Sequence, residues 1–119
     1  MALYFDIHQY GGRRIQVATV GIAIEEAKAI KIIYQKIRDE ILVNNPDVDP
    51  VALLIEPLDA IEIGAWPVKA NGILTVANKS LHFELPLYTL FRTEESRVVY
   101  ARILSELFKQ IARSRDFSA

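Results

Sequence analysis

Residues 2–23 read ALYFDIHQYGGRRIQVATVGIA and carry the first strand pattern of the chain. Apolar and polar residues alternate on both sides of Gly11 and Gly12, which is the pattern of half-buried strands and predicts a β-hairpin with its turn at the glycine pair. A three-residue loop that also includes Arg13 keeps apolar residues opposite one another. This register directs Leu3, Phe5, Ile7, Ile15 and Val17 toward the core, and Asp6, His8, Gln16 and Ala18 toward the other face.

Two amphipathic helices are predicted from apolar residues that recur at helical spacing. The first covers residues 24–44 and ends where Pro46 forces the chain out of helical geometry. The second begins after Thr93, an effective N-cap that is followed by two carboxylates. The apolar stripes comprise Ala27, Ile30, Ile33, Tyr34, Ile37 and Ile41 in the first helix, and Tyr100, Ile103, Leu104, Leu107, Phe108 and Ile111 in the second.

The chain between the helices has the pattern of strands. Strand-like segments occur at residues 51–56, 60–66, 73–77 and 80–85, and the last two are expected to form a second hairpin around Asn78 and Lys79. We therefore expect a single α+β domain over residues 1–119, in the order β-β-α-β-β-β-α. Its sheet is predicted to be mainly antiparallel, with five or six strands and both amphipathic helices packed on one face.

The composition excludes several classes of protein. The 119 residues include no cysteine, which rules out disulfides, thiolate zinc sites and a cysteine nucleophile. A net charge of −1 gives no overall attraction to nucleic acid or to anionic membranes. No apolar run is long enough to cross a membrane, and no signal peptide is visible at the N terminus. We expect a soluble, cytoplasmic protein with no membrane partner.

Both histidines of the chain stand two residues from a carboxylate, Asp6 with His8 and His82 with Glu84. Because strands have a period of two, each pair points to one face of a sheet. If the two strands share a sheet, the four side chains converge on its non-core face. Imidazole and carboxylate groups bind zinc, manganese and iron, so one hypothesis is a divalent-metal or acid–base site. A solvated strand face with cross-strand hydrogen bonds is the favoured interpretation.

The triplet His82-Phe83-Glu84 also resembles the histidine–hydrophobe–histidine strand motif of the HUH endonucleases. In that family the motif holds a divalent metal and a helical tyrosine attacks the DNA phosphodiester, a role that the resemblance assigns to Tyr100. The chain departs from the family pattern because it has no second histidine in the triplet, no lysine shortly after Tyr100 and no strand after that helix. Tyr100 also belongs to an apolar stripe, which favours a position in the core.

A surplus of apolar residues favours interaction with protein over catalysis. Residues 66–68, 85–91 and 98–100 carry more apolar surface than one face of a small sheet needs, and they either complete the core or form an exposed patch of the kind that marks interfaces. The first functional hypothesis is a non-enzymatic protein-interaction module, homo-oligomeric because symmetric dimers are the commonest assembly. Its contacts are expected on the open sheet face or at residues 85–91.

Two alternative functions remain. One is a small metal-dependent phosphodiesterase or nuclease that uses His82 and Glu84, with Asp6 and His8 as further ligands of a divalent metal and Tyr100 as the nucleophile. The other is a nucleic-acid-binding accessory protein in which cations at the hairpin tips contact phosphate. The cations concerned are Arg13, Arg14 and Lys79.

Overall fold

The described part of the chain contains four strands and three helices, in the order β-β-α-β-β-α-α. The computed structural model describes residues 3–62 and 79–114, and for residues 3–6 it describes only the backbone. The strands are β1 (Leu3–Tyr10), β2 (Ile15–Val20), β3 (Leu53–Ile55) and β4 (Lys79–Pro86). The helices are α1 (Ile24–Leu42), α2 (Leu87–Leu90) and α3 (Glu94–Arg113). None of these helices is long and apolar enough to span a bilayer, a finding that covers the described residues.

The four described strands form one mixed sheet in the order β1-β4-β2-β3. β1 runs parallel to β4, β2 runs parallel to β3, and only the central pair of β2 and β4 is antiparallel. The predicted α+β class is confirmed, but the prediction of a mainly antiparallel sheet of five or six strands is wrong. The predicted strand at 73–77 lies outside the described residues, as does most of the segment 60–66, and residues 60–62 are not in a strand.

The predicted N-terminal hairpin is also wrong, because β4 lies between β1 and β2. Tyr10 is paired with Pro86, and Gln16 is paired with Glu84 on the other side of β4. Residues 11–14 therefore pass the end of β4 and do not close a tight turn. The physical reason is that β4 has buried side chains on both of its faces. Phe83 is buried on one face and His82 on the other. The centre of the sheet is the place that buries both faces of a strand.

The core lies between one face of the sheet and the two long helices. Ile15, Val17, Leu81 and Phe83 are fully buried there, and Phe83 meets Phe108 of α3 edge to face, with ring centroids 5.1 Å apart. The predicted helical stripes are confirmed, since their residues are all buried or packed against this core. Burial of each such large side chain stabilises the fold by about 1.5–3 kcal/mol. Alternation along the strands thus assigned Ile15 and Val17 to the core correctly even though the strand partner was wrong. The same prediction is wrong for Ile7, which is 48% exposed because β1 lies at the edge of the described sheet. The side chains of Leu3 and Phe5 lie outside the described residues.

Local hydrogen bonds cap the N-terminal ends of both long helices. Ala23, before α1, donates its N–H to the carboxylate of Glu26 at 3.0 Å. Thr93 Oγ1 accepts a hydrogen bond from the Ser96 N–H at 3.0 Å, so the predicted N-cap of α3 is confirmed. α1 ends at Leu42, ahead of the predicted break before Pro46.

The second face of the sheet is not open at its centre. Gln16, Ala18, Ser80 and His82 all point away from the helices, and each is at most 2% exposed. The backbone N–H of Glu62 donates to Gln16 Oε1 at 2.9 Å, so the chain that follows β3 returns over this face. The expectation that the face opposite the helices is left open for a partner is therefore wrong at these four residues.

Candidate functional site

The two histidine–carboxylate pairs of the sequence lie on neighbouring strands. In the parallel register of β1 and β4, Asp6 is opposite His82 and His8 is opposite Glu84. The imidazole rings of His8 and His82 stack with centroids 4.7 Å apart and planes 28° from parallel. The structure thus brings His8, His82 and Glu84 together on the second face of the sheet, with the backbone of Asp6 alongside. The side chain of Asp6 lies outside the described residues.

Within this cluster, His82 and Glu84 form a hydrogen-bonded pair. The Nε2 atom of His82 lies 2.7 Å from Oε1 of Glu84, and the two side chains are 2% and 13% exposed. An ionised carboxylate only accepts hydrogen bonds, so Nε2 carries the proton of this bond. The carboxylate therefore fixes the tautomer and the orientation of the buried ring. His8, on the edge of the cluster, is exposed.

Polar groups continue from this pair toward the loop at residues 11–14. The hydroxyl of Tyr10 donates to the carbonyl of Arg14, and it also hydrogen-bonds with Gln16. Burial raises the pKa of Tyr10, and the nearby carboxylates of Glu62 and Glu84 act in the same direction. The ring of Tyr10 lies where a side chain at Gly12 would stand. The loop is therefore shaped around Tyr10, which explains why a glycine occupies that position.

The chemistry open to this cluster is limited by access. A carboxylate that orients an imidazole is the usual arrangement of a general base and its positioning partner. However, His82 is 1% exposed, and the exposed ring of His8 stacks against it. Among the side chains that the structure describes, no group of three or more histidines and carboxylates is placed to hold a metal ion. The metal and acid–base roles of these residues remain predictions.

Tyr100 is not brought to this cluster. It is 1% exposed within the core between the helices and the sheet, whereas His82 and Glu84 point to the opposite face. Its hydroxyl donates to the carbonyl of Asp49 at 2.5 Å and accepts from the N–H of Val51 at 2.8 Å. Burial raises the pKa of this phenol, which opposes formation of a phenolate nucleophile. These contacts agree with the core position that the apolar stripe favoured.

The three cations of the nucleic-acid hypothesis lie at opposite ends of the sheet. Arg13 and Arg14 follow the C-terminal end of β1, next to the end of β4. Lys79 stands at the beginning of β4, where its Nζ lies 2.5 Å from Oε2 of Glu26. The cations therefore form no single basic patch, and the charge of Lys79 is balanced within the chain.

A second concave site lies beside α2, where β4 ends and the chain turns into the short helix. A cavity of about 730 Å³ opens there, and we call its lining the α2 surface: Asp49, Leu87, Tyr88, Thr89, Phe91 and Arg92. Tyr88 is 76% exposed, whereas Leu90 on the other side of the same helix is fully buried. Ser96 Oγ donates to the carbonyl of Leu90 at 2.8 Å, which ties α2 to the start of α3.

The sequence indicated only part of the α2 surface. The apolar run at residues 85–91 suggested either core or interface, and the structure divides it between the two: Leu85 and Leu90 are buried, while Tyr88 is exposed. Asp49 and Arg92 were not singled out, because each is an ordinary charged residue in a loop. Their placement on one cavity follows from the tertiary fold and has no local signal in the sequence.

Comparison of the chain with protein-family models, with curated proteins and with solved structures gave no match.

Proposed function

We propose that the chain is a non-enzymatic protein-interaction module and that the α2 surface is its contact site. The observation that carries this proposal is Tyr88, a large aromatic residue that is 76% exposed and lines a cavity of about 730 Å³. Leaving so much apolar surface in water gives up stabilisation that burial of the ring in a complex would recover.

The residue types of the α2 surface support an interface. Tyrosine and arginine are enriched among the residues that contribute most binding energy, and Tyr88 and Arg92 stand on the same short segment. The helix α2 is anchored by the buried side chain of Leu90 and by the hydrogen bond that Ser96 donates to the Leu90 carbonyl. A contact site held in place before binding loses less conformational entropy when the complex forms.

The histidine cluster supports catalysis less well than the α2 surface supports binding. A catalytic base must reach the proton that it removes. His82 is buried and already bonded to Glu84. A structural role for the pair, in which a polar sheet face is satisfied by cross-strand contacts, accounts for its geometry without a substrate.

Site-specific photo-crosslinking tests the proposal. A benzophenone amino acid is placed at position 88 of the full chain in the cells that make the protein, and adducts are detected by a mass shift of the chain. The matched control carries the same probe at position 32, because Ile32 is also an exposed apolar residue (64%) beside a different cavity. We expect a discrete protein adduct from position 88 only. Absence of an adduct at 88, or the same adducts from both positions, would overturn the proposal.

A metal-dependent phosphodiesterase is the second candidate, favoured by the contact between His8 and His82 beside Glu84. Coordination of one ion by both His82 Nε2 and Glu84 Oε1 would require the hydrogen bond between these two atoms to open. Titration of Mn²⁺ or Zn²⁺ followed by the two imidazole signals in NMR provides the test. Joint shifts of both rings at micromolar metal support this candidate, and separate or absent shifts reject it.

A further inference from the structure

We infer that the partner of the α2 surface is a second copy of this chain, bound about a twofold axis. This inference rests on the proposed function and adds the identity of the partner. In such a dimer Tyr88 of each copy enters the cavity of the other, and Asp49 of each copy pairs with Arg92 of the other. The evidence is that the α2 surface carries both halves of each contact.

The α2 surface carries both an exposed ring and a recess. Tyr88 is 76% exposed, and it lines the same cavity as the apolar residues Leu87 and Phe91. In a twofold interface the same patch meets itself, so a projection and a recess on one patch both find their counterparts. The cavity volume of about 730 Å³ lies in the range that takes bound groups larger than a phenol ring.

The charges of the surface are self-complementary as well. Asp49 and Arg92 are both exposed, and neither forms an ion pair with any residue that the structure describes. A twofold axis through the cavity places each guanidinium opposite the carboxylate of the other copy, which is a charge-assisted contact made twice. The backbone of Asp49 is already held by Tyr100, whose hydroxyl donates to its carbonyl at 2.5 Å.

The overall charge permits self-association. With a net charge of only −1, two copies experience little long-range repulsion. A foreign partner would have to supply the complementary recess and charges itself, whereas a second copy provides them by symmetry. A self-complementary patch therefore favours the second copy over a partner of unrelated sequence.

Charge reversal with mixing of variants tests this arrangement. Sedimentation equilibrium is measured on the purified full chain, on Asp49→Arg, on Arg92→Asp and on an equimolar mixture of the two variants. Each variant alone sets like charges against one another twice, so its dimer dissociation constant is expected to rise at least tenfold. In the mixed dimer, the arginine introduced by Asp49→Arg in one copy faces the aspartate introduced by Arg92→Asp in the other. The unchanged Arg92 of the first copy then faces the unchanged Asp49 of the second. The mixture is therefore expected to restore the dimer.

Controls keep the test independent of folding. Both side chains are exposed, so the variants are expected to keep the far-UV circular dichroism of the parent chain. Tyr88→Ser is a third variant, expected to weaken the dimer without any change of charge. Lys28→Glu reverses an exposed charge beside a different cavity and is expected to leave the dimer intact.

Three results would overturn the inference: a monomeric parent chain, single variants that dimerise as well as the parent, or a mixture that stays monomeric. The first result leaves the proposed function standing if the probe at position 88 crosslinks to a protein of different sequence. If position 88 forms no protein adduct at all, the proposed function fails together with the inference. The two experiments therefore separate the failure of one from the failure of the other.

Discussion

The hydroxyl of Tyr100 accepts a hydrogen bond from the backbone N–H of Val51 at 2.8 Å. Tyr34, on the other long helix, donates its hydroxyl to the carbonyl of the same residue at 2.5 Å. Both phenols are buried, which raises the pKa of each above its ordinary value. One long helix therefore bonds the carbonyl of Val51 and the other bonds its N–H. These two bonds fix the position of the chain immediately before β3.

Tyr100→Phe should lower the free energy of unfolding by about 1–3 kcal/mol, because it leaves the N–H of Val51 buried without an acceptor. Tyr34→Phe should cost less, about 0.5–1.5 kcal/mol, since the carbonyl of Val51 also accepts from Arg38 Nη1 at 3.1 Å. Urea unfolding of both variants measures the difference. Tyr88→Phe is the control and should change little. Equal losses at Tyr34 and Tyr100 would contradict this account.

The cap of α3 offers a second measurement. Thr93→Ala removes the side-chain oxygen that accepts from the Ser96 N–H, and it should destabilise the fold by about 0.5–2 kcal/mol. Thr93→Ser retains an acceptor and should stay close to the parent chain. Both are compared by thermal and urea unfolding. A serine variant as unstable as the alanine variant would show that Thr93 acts through packing of its methyl group.

Glu26 should make stability depend on pH. Partial burial alone raises the pKa of its carboxyl, but hydrogen bonds from the Ala23 N–H and from Lys79 Nζ outweigh burial and hold this pKa below its ordinary value. The native state thus favours the ionised form. The stabilisation from Glu26 should be complete above the ordinary carboxyl pKa of about 4.5 and should be lost as the pH falls through the lower pKa of the native state.

The variant Glu26→Gln isolates this effect. The difference in urea midpoint between the parent and the variant should be constant near neutral pH and should shrink as the solution is acidified. Glu25→Gln, at an exposed neighbour in the same helical turn, is the matched control and should show a smaller change. A Glu26→Gln difference that persists unchanged at pH 3 would exclude the ion pair with Lys79 as its origin.

Two adjacent glycines allow a test of the loop at residues 11–14. An alanine at position 12 would collide with the ring of Tyr10, so the ring must move and its bond to Arg14 is lost. We expect Gly12→Ala to lower the free energy of unfolding by about 0.5–1.5 kcal/mol. An added methyl group at position 11 meets no heavy atom within 4 Å, so Gly11→Ala should be neutral or slightly stabilising. The two variants are compared by urea unfolding. Equal effects would show that the ring of Tyr10 does not occupy the space beside Gly12.

The sequence predicted the features that depend on periodicity. Helical spacing gave the buried stripes of α1 and α3, and alternation gave the faces of Val17 and His82 correctly. Alternation says which face a side chain takes but not which strand lies next to it. The hairpin prediction therefore failed, because the insertion of β4 between β1 and β2 depends on contacts between distant parts of the chain.

The candidate sites were predictable to different degrees. The pairing of His82 with Glu84 followed from the spacing of two residues on one strand, and their contact with His8 required only that the two strands share a sheet. The α2 surface could not be predicted in full, since Asp49 and Arg92 are far apart in sequence. The burial of His82 was also missed, because histidine is intermediate between the residue types that are usually buried and those that are usually exposed.

The position of β4 governs the order in which the sheet assembles during synthesis. Among the described strands, β1 pairs only with β4. The pairing of Leu3 with Lys79 therefore cannot form until residue 79 has left the ribosome. Of the described strand pairings, only that of β2 with β3 lies wholly within the residues synthesised before β4. Such distant pairings slow folding. The sheet can therefore be completed only after β4 has been synthesised, and a chain halted near residue 62 lacks the strand that joins β1 to β2.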